Sequence, residues 1–190
     1  MPITDLTLPE LVDYRPDVEQ PEDFDRFWQV TIAEARRLWS DHGWEHAAEG
    51  MAAVTSVMRA QQIVQARVDE VLRPLGLTFS RYELLMLLHF SRTGALPVTR
   101  ASRRLQVHPT SVTNAVDRLE SAGLVRRLPH PTDGRATLVE VTQAGRDAAL
   151  EATGQLNARV FSCPGLPPRK TSSLVSVLRD LRRTAGDFDA

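Results

Sequence analysis

Apolar positions fall at helical spacing through most of this chain and switch to alternation in one region only. Phe24, Phe27, Trp28, Thr31, Ala35 and Leu38 recur at steps compatible with one helix face, and Asp41-His42-Gly43 stops the run. A helix is predicted there, preceded by residues 1–21, whose four prolines and many acids favour an extended arm. A long helix is predicted next, from about Trp44 to Leu75. Its stripe of Val54, Val57, Gln61, Val64, Val68, Val71 and Leu75 alternates steps of three and four, which suits packing along another helix. Pro74 and Gly76 end it. Ser80, with Glu83 three residues on, reads as a capping box opening a helix over Ser80–Thr93. The Leu84-Leu85-Met86-Leu87-Leu88 centre of that helix is apolar nearly all round, so it should be buried.

A short helix is predicted over Val98–Leu105, with Ala101 and Leu105 inward and Arg100, Arg103 and Arg104 outward. After the turn Gln106-Val107-His108, a second helix opens with Pro109 and closes before Gly123, as helix ends prefer. Alternation then predicts a β-hairpin: Leu124–Leu128, a tip over Pro129–Arg135 containing Asp133-Gly134, and Thr137–Thr142. Two final helices are predicted, about Gln143–Ser162 and Pro168–Ala185. Their apolar positions (Ala149, Ala152, Leu156, Val160; then Leu174, Leu178, Leu181, Ala185) are thin, so each is expected to need a partner surface from a second copy. The fold class is therefore mainly α with a small β-hairpin wing. It divides into an arm and extra helix (1–43), a dimerisation or linking helix (44–75), a winged helix-turn-helix domain (76–146) and C-terminal dimerisation helices (147–190).

Charge sharpens this picture. The net charge of -1 conceals four arginines against twelve acids in residues 1–50, and ten arginines against five acids in 76–146. A basic middle beside an acidic N-terminal region suits a polyanion-binding module. No apolar run approaches the ~18 residues of a membrane span, and no basic stretch leads into a hydrophobic one at the N-terminus. The expected location is the cytoplasm, with no membrane partner. The single cysteine, Cys163, excludes an intramolecular disulfide or a multi-cysteine zinc site and reads as an inert thiol. The five histidines are scattered, and His42 and His46 straddle Gly43, so no metal site is expected. No glycine-rich phosphate loop, nucleophile elbow or HExxH occurs, so neither catalysis nor a cofactor is expected.

The candidate chemistry lies on the 109–122 helix. Val112, Ala115, Val116 and Leu119 follow the i, i+3, i+4, i+7 rule and must face the core. Thr110, Ser111, Thr113, Asn114, Asp117 and Arg118 then face outward, a short hydrogen-bonding face able to enter the major groove. Hydroxyls reach phosphates or base edges, Asn pairs bidentately with adenine, and Arg with guanine or phosphate. The helix N-terminus, beside His108, would add amide donors for a phosphate. Arg103 and Arg104 would anchor backbone phosphates. Asp133-Gly134-Arg135, on a protruding turn near His130, would set one arginine in the minor groove. The alternative, a winged-helix module that binds protein, predicts apolar anchors on this outward face. Thr, Ser and Asn stand there instead.

The segment "VTRASRRLQVHPTSVTNAVDRLESAGLVRRLPHPTDGRATLVEVTQAGR" resembles the MarR family of bacterial regulators. Val116-Asp117-Arg118-Leu119-Glu120, Gly123-Leu124-Val125, Asp133-Gly134-Arg135, Val141-Thr142 and Gly145 carry the likeness, which is strong over 78–146 and loose beyond. It implies a homodimer of interleaved terminal helices, with two winged domains on successive turns of a pseudopalindromic duplex. It implies that Asp117, with Asp133, braces the wing arginine Arg135. It further implies repression relieved by a small phenolic or anionic effector. A candidate pocket for that effector takes in Trp28, Arg59, Tyr82, Glu83 and His89. A family subgroup that senses urate-like anions carries a tryptophan where Trp28 stands, but Val30 occupies the position of its expected arginine.

Overall fold

The computed structural model describes residues 24–130 and 137–187, with side chains from Val30 onward. The predicted arm, residues 1–21, lies outside the described residues. The chain separates into two compact units, residues 1–60 and 61–190.

In the first unit, α1 spans Phe24–Asp41 and the next helix, α2, spans Glu45–Leu72, running on into the second unit. Gly43 takes a left-handed conformation (φ 79°) between them, which a β-carbon would resist. Arg36 reaches Glu49 at 2.9 Å, and Trp39 meets Trp44 edge-on at 5.6 Å. His42 stacks on Trp44 and its Nδ1 lies 2.7 Å from the Leu38 carbonyl. No group of residues able to hold a metal occurs among those described.

In the second unit, α2 ends in a 3-10 turn over Arg73–Leu75, closed by left-handed Gly76. There follow α3 (Phe79–His89), β1 (Ala95–Pro97), α4 (Val98–Leu105), α5 (Pro109–Ser121), β2 (Val125–Pro129), β3 (Thr137–Val141), α6 (Gln143–Leu156) and α7 (Pro168–Thr184). A π-helical turn, Asn157–Phe161, extends α6. The sheet order is β1-β3-β2, antiparallel throughout, with Leu96 opposite Val139 and Val125 opposite Val141. The strand β1 adds to the predicted hairpin. Pro97 has no N–H to donate and sits in an edge strand, where proline is tolerated.

One core joins the elements from α2 to α6. Leu72, Leu85, Leu88, Val116, Ala149, Ala152 and Leu156 have lost essentially all solvent contact, and Val112, Leu119, Val125, Val139 and Val141 surround them. Three expectations are corrected. The N-cap of α3 is Thr78 rather than Ser80: Thr78 is extended and its Oγ1 accepts from the Arg81 amide, while the Ser80 hydroxyl turns to Thr78. That helix stops at His89 rather than Thr93, because Ser91 turns its amide and hydroxyl back to the Leu88 carbonyl. The third concerns α6, which already finds a partner surface for Ala149, Ala152 and Leu156 within its own chain. Its small Ala149 and Ala152 allow close approach of α3, and Tyr82 Oη meets Thr153 Oγ1 at 3.0 Å.

The other half of that expectation stands differently. No residue of α7 is buried, and Leu174, Val177 and Leu181 face solvent. Upstream on α2, Val54, Val57 and Val64 are exposed while Val68 and Val71 are core. The end of α7 docks on the helix-turn-helix turn. Gln106, the one described non-glycine residue with positive φ (54°), donates to the Asp187 carbonyl and accepts from Arg182 Nη2, both at 2.5 Å.

Candidate nucleic-acid interface

The helix α5 is the second of the two helices that the turn Gln106-Val107-His108 joins, and its amphipathic split is as the spacing predicts. Val112, Val116 and Leu119 are buried, with Ala115 partly so. Thr110, Ser111, Thr113, Asn114, Asp117 and Arg118 are all exposed. Thr113 Oγ1 donates to the Pro109 carbonyl at 3.1 Å, which leaves its lone pairs outward. Among the described residues, the side chains of Thr110, Ser111 and Asn114 have no hydrogen-bond partner. These groups are held by the helix alone, ready for an external partner.

The helix N-terminus differs from expectation. Pro109 has no amide hydrogen, Thr110 N donates to His108 Nδ1 at 3.3 Å, and Ser111 N and Val112 N both donate to the His108 carbonyl. The first-turn amides are thus taken within the chain and are not free for a phosphate. The His108 ring accepts there through Nδ1 and is exposed at the same end of the helix.

The basic residues proposed to meet phosphates are open to solvent. Arg103 and Arg104 in the last turn of α4, with Arg100 before them and Arg118 on α5, are exposed, and none has an ion-pair partner among the described residues. Unpaired guanidinium groups keep their full charge for an incoming polyanion.

Asp117 has a partner that the sequence reading missed. On β2, Arg127 Nη2 meets Asp117 Oδ1 at 2.5 Å, and Arg127 also pairs with Glu120 through Nη1. The Arg127 backbone amide donates to Glu120 Oε1 at 2.9 Å, so both charge and backbone tie the wing's first strand to α5. The hydrogen bond to Asp117 above all holds the Arg127 guanidinium more firmly charged than usual, against the opposing effect of burial. Asp133 and Arg135 lie outside the described residues, as does the Trp28 side chain. Arg127→Met is expected to cost about 1 kcal/mol of stability, since the pair is partly solvated, and to weaken binding to every duplex. Thermal unfolding and gel-shift titration with two unrelated duplexes read both.

A groove of about 420 Å³ opens in the second unit, lined chiefly by Phe79, Tyr82, Glu83, Met86, Phe90 and Phe161. It brings together Tyr82 and Glu83 of the candidate pocket. His89 is not on its lining, although His89 Nδ1 is buried without a partner among the described residues. Arg59, half-buried, belongs to the first unit. Burial pushes the Glu83 carboxyl above the ordinary glutamate range. Cys163 is an exposed free thiol whose carbonyl accepts from Arg67 at 2.6 Å.

With this geometry in view, likeness to known proteins decides the family. A solved MarR-family transcriptional regulator of Streptomyces coelicolor, Sco5413, is 48% identical, matching 75% of this chain and 99% of its own, with a TM-score of 0.68. The chain belongs to the MarR family. The family's own sequence model matches residues 75–136, which run from the turn after α2 to just before β3. A second MarR-family regulator of that organism, Sco3205, solved in complex with DNA, is 25% identical over 72% of this chain and 88% of its own, at a TM-score of 0.64. Among curated relatives, the HTH-type regulator YhbI of Bacillus subtilis is 29% identical over 88 residues, which are 46% of this chain and 56% of YhbI.

The acetyl xylan esterase model matches residues 1–72, ahead of the whole of the MarR match. Ester hydrolysis by a serine needs a base within hydrogen-bond reach of the hydroxyl. Among the described residues of that stretch, Ser56 Oγ donates to the Ala52 carbonyl and His42 Nδ1 meets the Leu38 carbonyl, so these two make no such pair.

Proposed function

We propose that the chain acts as a homodimeric, sequence-specific DNA-binding regulator of transcription, without enzymatic activity, in the cytoplasm where its operator lies. The observation that carries the reading is the outward face of α5, where short polar side chains without internal partners stand beside unpaired arginines. In this reading Thr110, Ser111, Thr113 and Asn114 do the base-proximal work. Arg103, Arg104, His108 and Arg118 hold phosphates, and Arg135 enters the minor groove. Each protomer reads one half of a pseudopalindrome, the half-sites about one helical turn apart. The protein-binding alternative would need apolar anchors on α5, and its exposed positions are polar. No described helix is long and apolar enough to cross a membrane. The regulator is read as a repressor that a small molecule releases, the groove beside Tyr82 and Glu83 being the place for it.

Gel-shift titration against the DNA flanking the chain's own gene, at two salt concentrations and with random duplex as competitor, tests this. Competitor-resistant binding that weakens steeply with salt supports it. Absence of binding to either duplex at low salt, before and after refolding away any bound ligand, overturns it. Within that assay Asn114→Ala is expected to cost ~1–3 kcal/mol at one base position only, whereas Arg135→Ala weakens binding to cognate and random duplex alike. Variants indistinguishable from the parent on both duplexes would remove these residues from the interface.

A further inference from the structure

The groove in the second unit combines aromatic walls with one charge of a single sign. Phe79, Tyr82, Phe90 and Phe161 line it, and Phe79 stacks on Tyr82 with ring centroids 6.0 Å apart. Two polar groups on its walls, Tyr82 and Thr153, satisfy one another. Tyr82 Oη meets Thr153 Oγ1, which also lies 2.7 Å from the Ala149 carbonyl and 3.3 Å from Met86 Sδ. Glu83 is different. It is the only charged residue on the lining, it is partly buried, and it has no hydrogen-bond or ion-pair partner among the described residues.

A carboxylate taken partly out of water without a counter-charge is a standing cost, and a ligand that supplies the counter-charge relieves it. An anion meets the reverse: repulsion from Glu83 and the negative faces of the rings. Aromatic faces attract cations in the same geometry. We propose that this groove selects small, lipophilic organic cations, such as aryl or alkyl ammonium compounds, with Glu83 as the counter-ion and the aromatic walls packing the apolar body. This departs from the phenolic or anionic effector that the family resemblance suggests.

Glu83 also has a second neighbourhood. With Leu105 it borders a small cavity, about 30 Å³, whose other walls include Ser111, Val112 and Ala115 of α5. A cation drawn to Glu83 therefore acts on a residue that shares a cavity wall with the proposed DNA-reading helix. This part rests on the DNA-binding reading above; the charge selection does not.

Three probes of one shape separate the cases: phenyltrimethylammonium, its neutral isostere tert-butylbenzene, and benzenesulfonate. Binding to the full chain is measured by ligand-observed NMR, without DNA. The expected order is cation, then neutral, then anion, with the cation about tenfold tighter than the isostere. Glu83→Gln should bring cation and isostere to equal affinity, while Glu83→Asp, which keeps the charge, should preserve their order. Circular dichroism confirms that both variants fold. Sulfonate binding first, no preference between cation and isostere, or a preference unchanged in Glu83→Gln would overturn the proposal. If a second copy covers the groove in solution, none of the three probes binds, and the proposal fails. A gel shift with the ammonium probe is run separately. Loss of the DNA complex in that assay extends the proposal to regulation, whereas a chain that binds the cation but never DNA defeats only the reading under Proposed function.

Discussion

Gly145→Ala is expected to destabilise the protein by about 3 kcal/mol, lowering the melting temperature by roughly 10 °C, although glycine-to-alanine changes inside helices ordinarily stabilise by up to ~1 kcal/mol. Gly145 lies in the first turn of α6, buried, with its amide donating to Thr142 Oγ1 at 3.0 Å. A β-carbon there would stand 2.0 Å from the Leu124 carbonyl oxygen and 2.9 Å from Val141 Cγ2. Neither neighbour yields easily. The Leu124 oxygen is pinned by the Thr142 amide at 3.1 Å, and Val141 is paired with Val125 in the sheet. The methyl must therefore push α6 away from the wing's base, where overpacking is paid in distorted backbone. Gly154, in the same helix, has nothing within 4 Å of its would-be β-carbon, so Gly154→Ala should raise the melting temperature slightly. Thermal unfolding of the two variants should give opposite signs. A Gly145→Ala protein as stable as its parent would mean that α6 does not approach the wing this closely.

Much of this was legible from spacing alone, and the exceptions have physical causes. The helix α5 came out whole because Val112, Ala115, Val116 and Leu119 repeat at the helical period and Pro109 and Gly123 bracket them. The strand β1 did not, because Ala95-Leu96-Pro97 is too short to show a period and its partner, β3, lies more than 40 residues away. The α3 cap was displaced by two residues because Thr78 and Ser80 are both competent hydroxyls. The choice between them is made by the preceding turn, where the Leu77 amide still bonds back to the Leu72 carbonyl. The apolar positions of α6 were read correctly, but not that α3 would cover them: the small Ala149 and Ala152 admit it closely. Arg127 was missed because its two acids lie on another element. A signal was present: Asp117 and Glu120, three apart on one helix face, leave two carboxylates in need of a cation, and alternation lets one of Arg126 and Arg127 face them.

The double change Leu174→Asp with Leu181→Asp is expected to convert the protein to monomers and to lower affinity for a two-half-site operator at least a hundredfold. Leu174 and Leu181 are 45% and 57% exposed and lie seven residues apart, two turns along one side of α7, with Val177 between them at 65%. A row of large aliphatic groups left in water along a helix with no buried residue is a surface awaiting a partner, and the exposed Val54, Val57 and Val64 on α2 offer a second such row. Aspartates in that row would be buried unpaired in any dimer that used it. Because neither leucine belongs to the core, the monomer should keep its far-ultraviolet dichroism and its α5 surface. The affinity loss then has one source. In the dimer, binding of the second head is intramolecular, worth on the order of 10²–10⁴ over a single head, and a monomer forfeits that factor. Binding to an isolated half-site, which never benefited from it, should change little. Sedimentation velocity reads the assembly state and gel shift reads the two duplexes. A variant that remains dimeric would take α7 out of the interface. A monomer that still binds the full operator as tightly as the parent would show that each head reads DNA alone, and the pseudopalindrome would lose its reason.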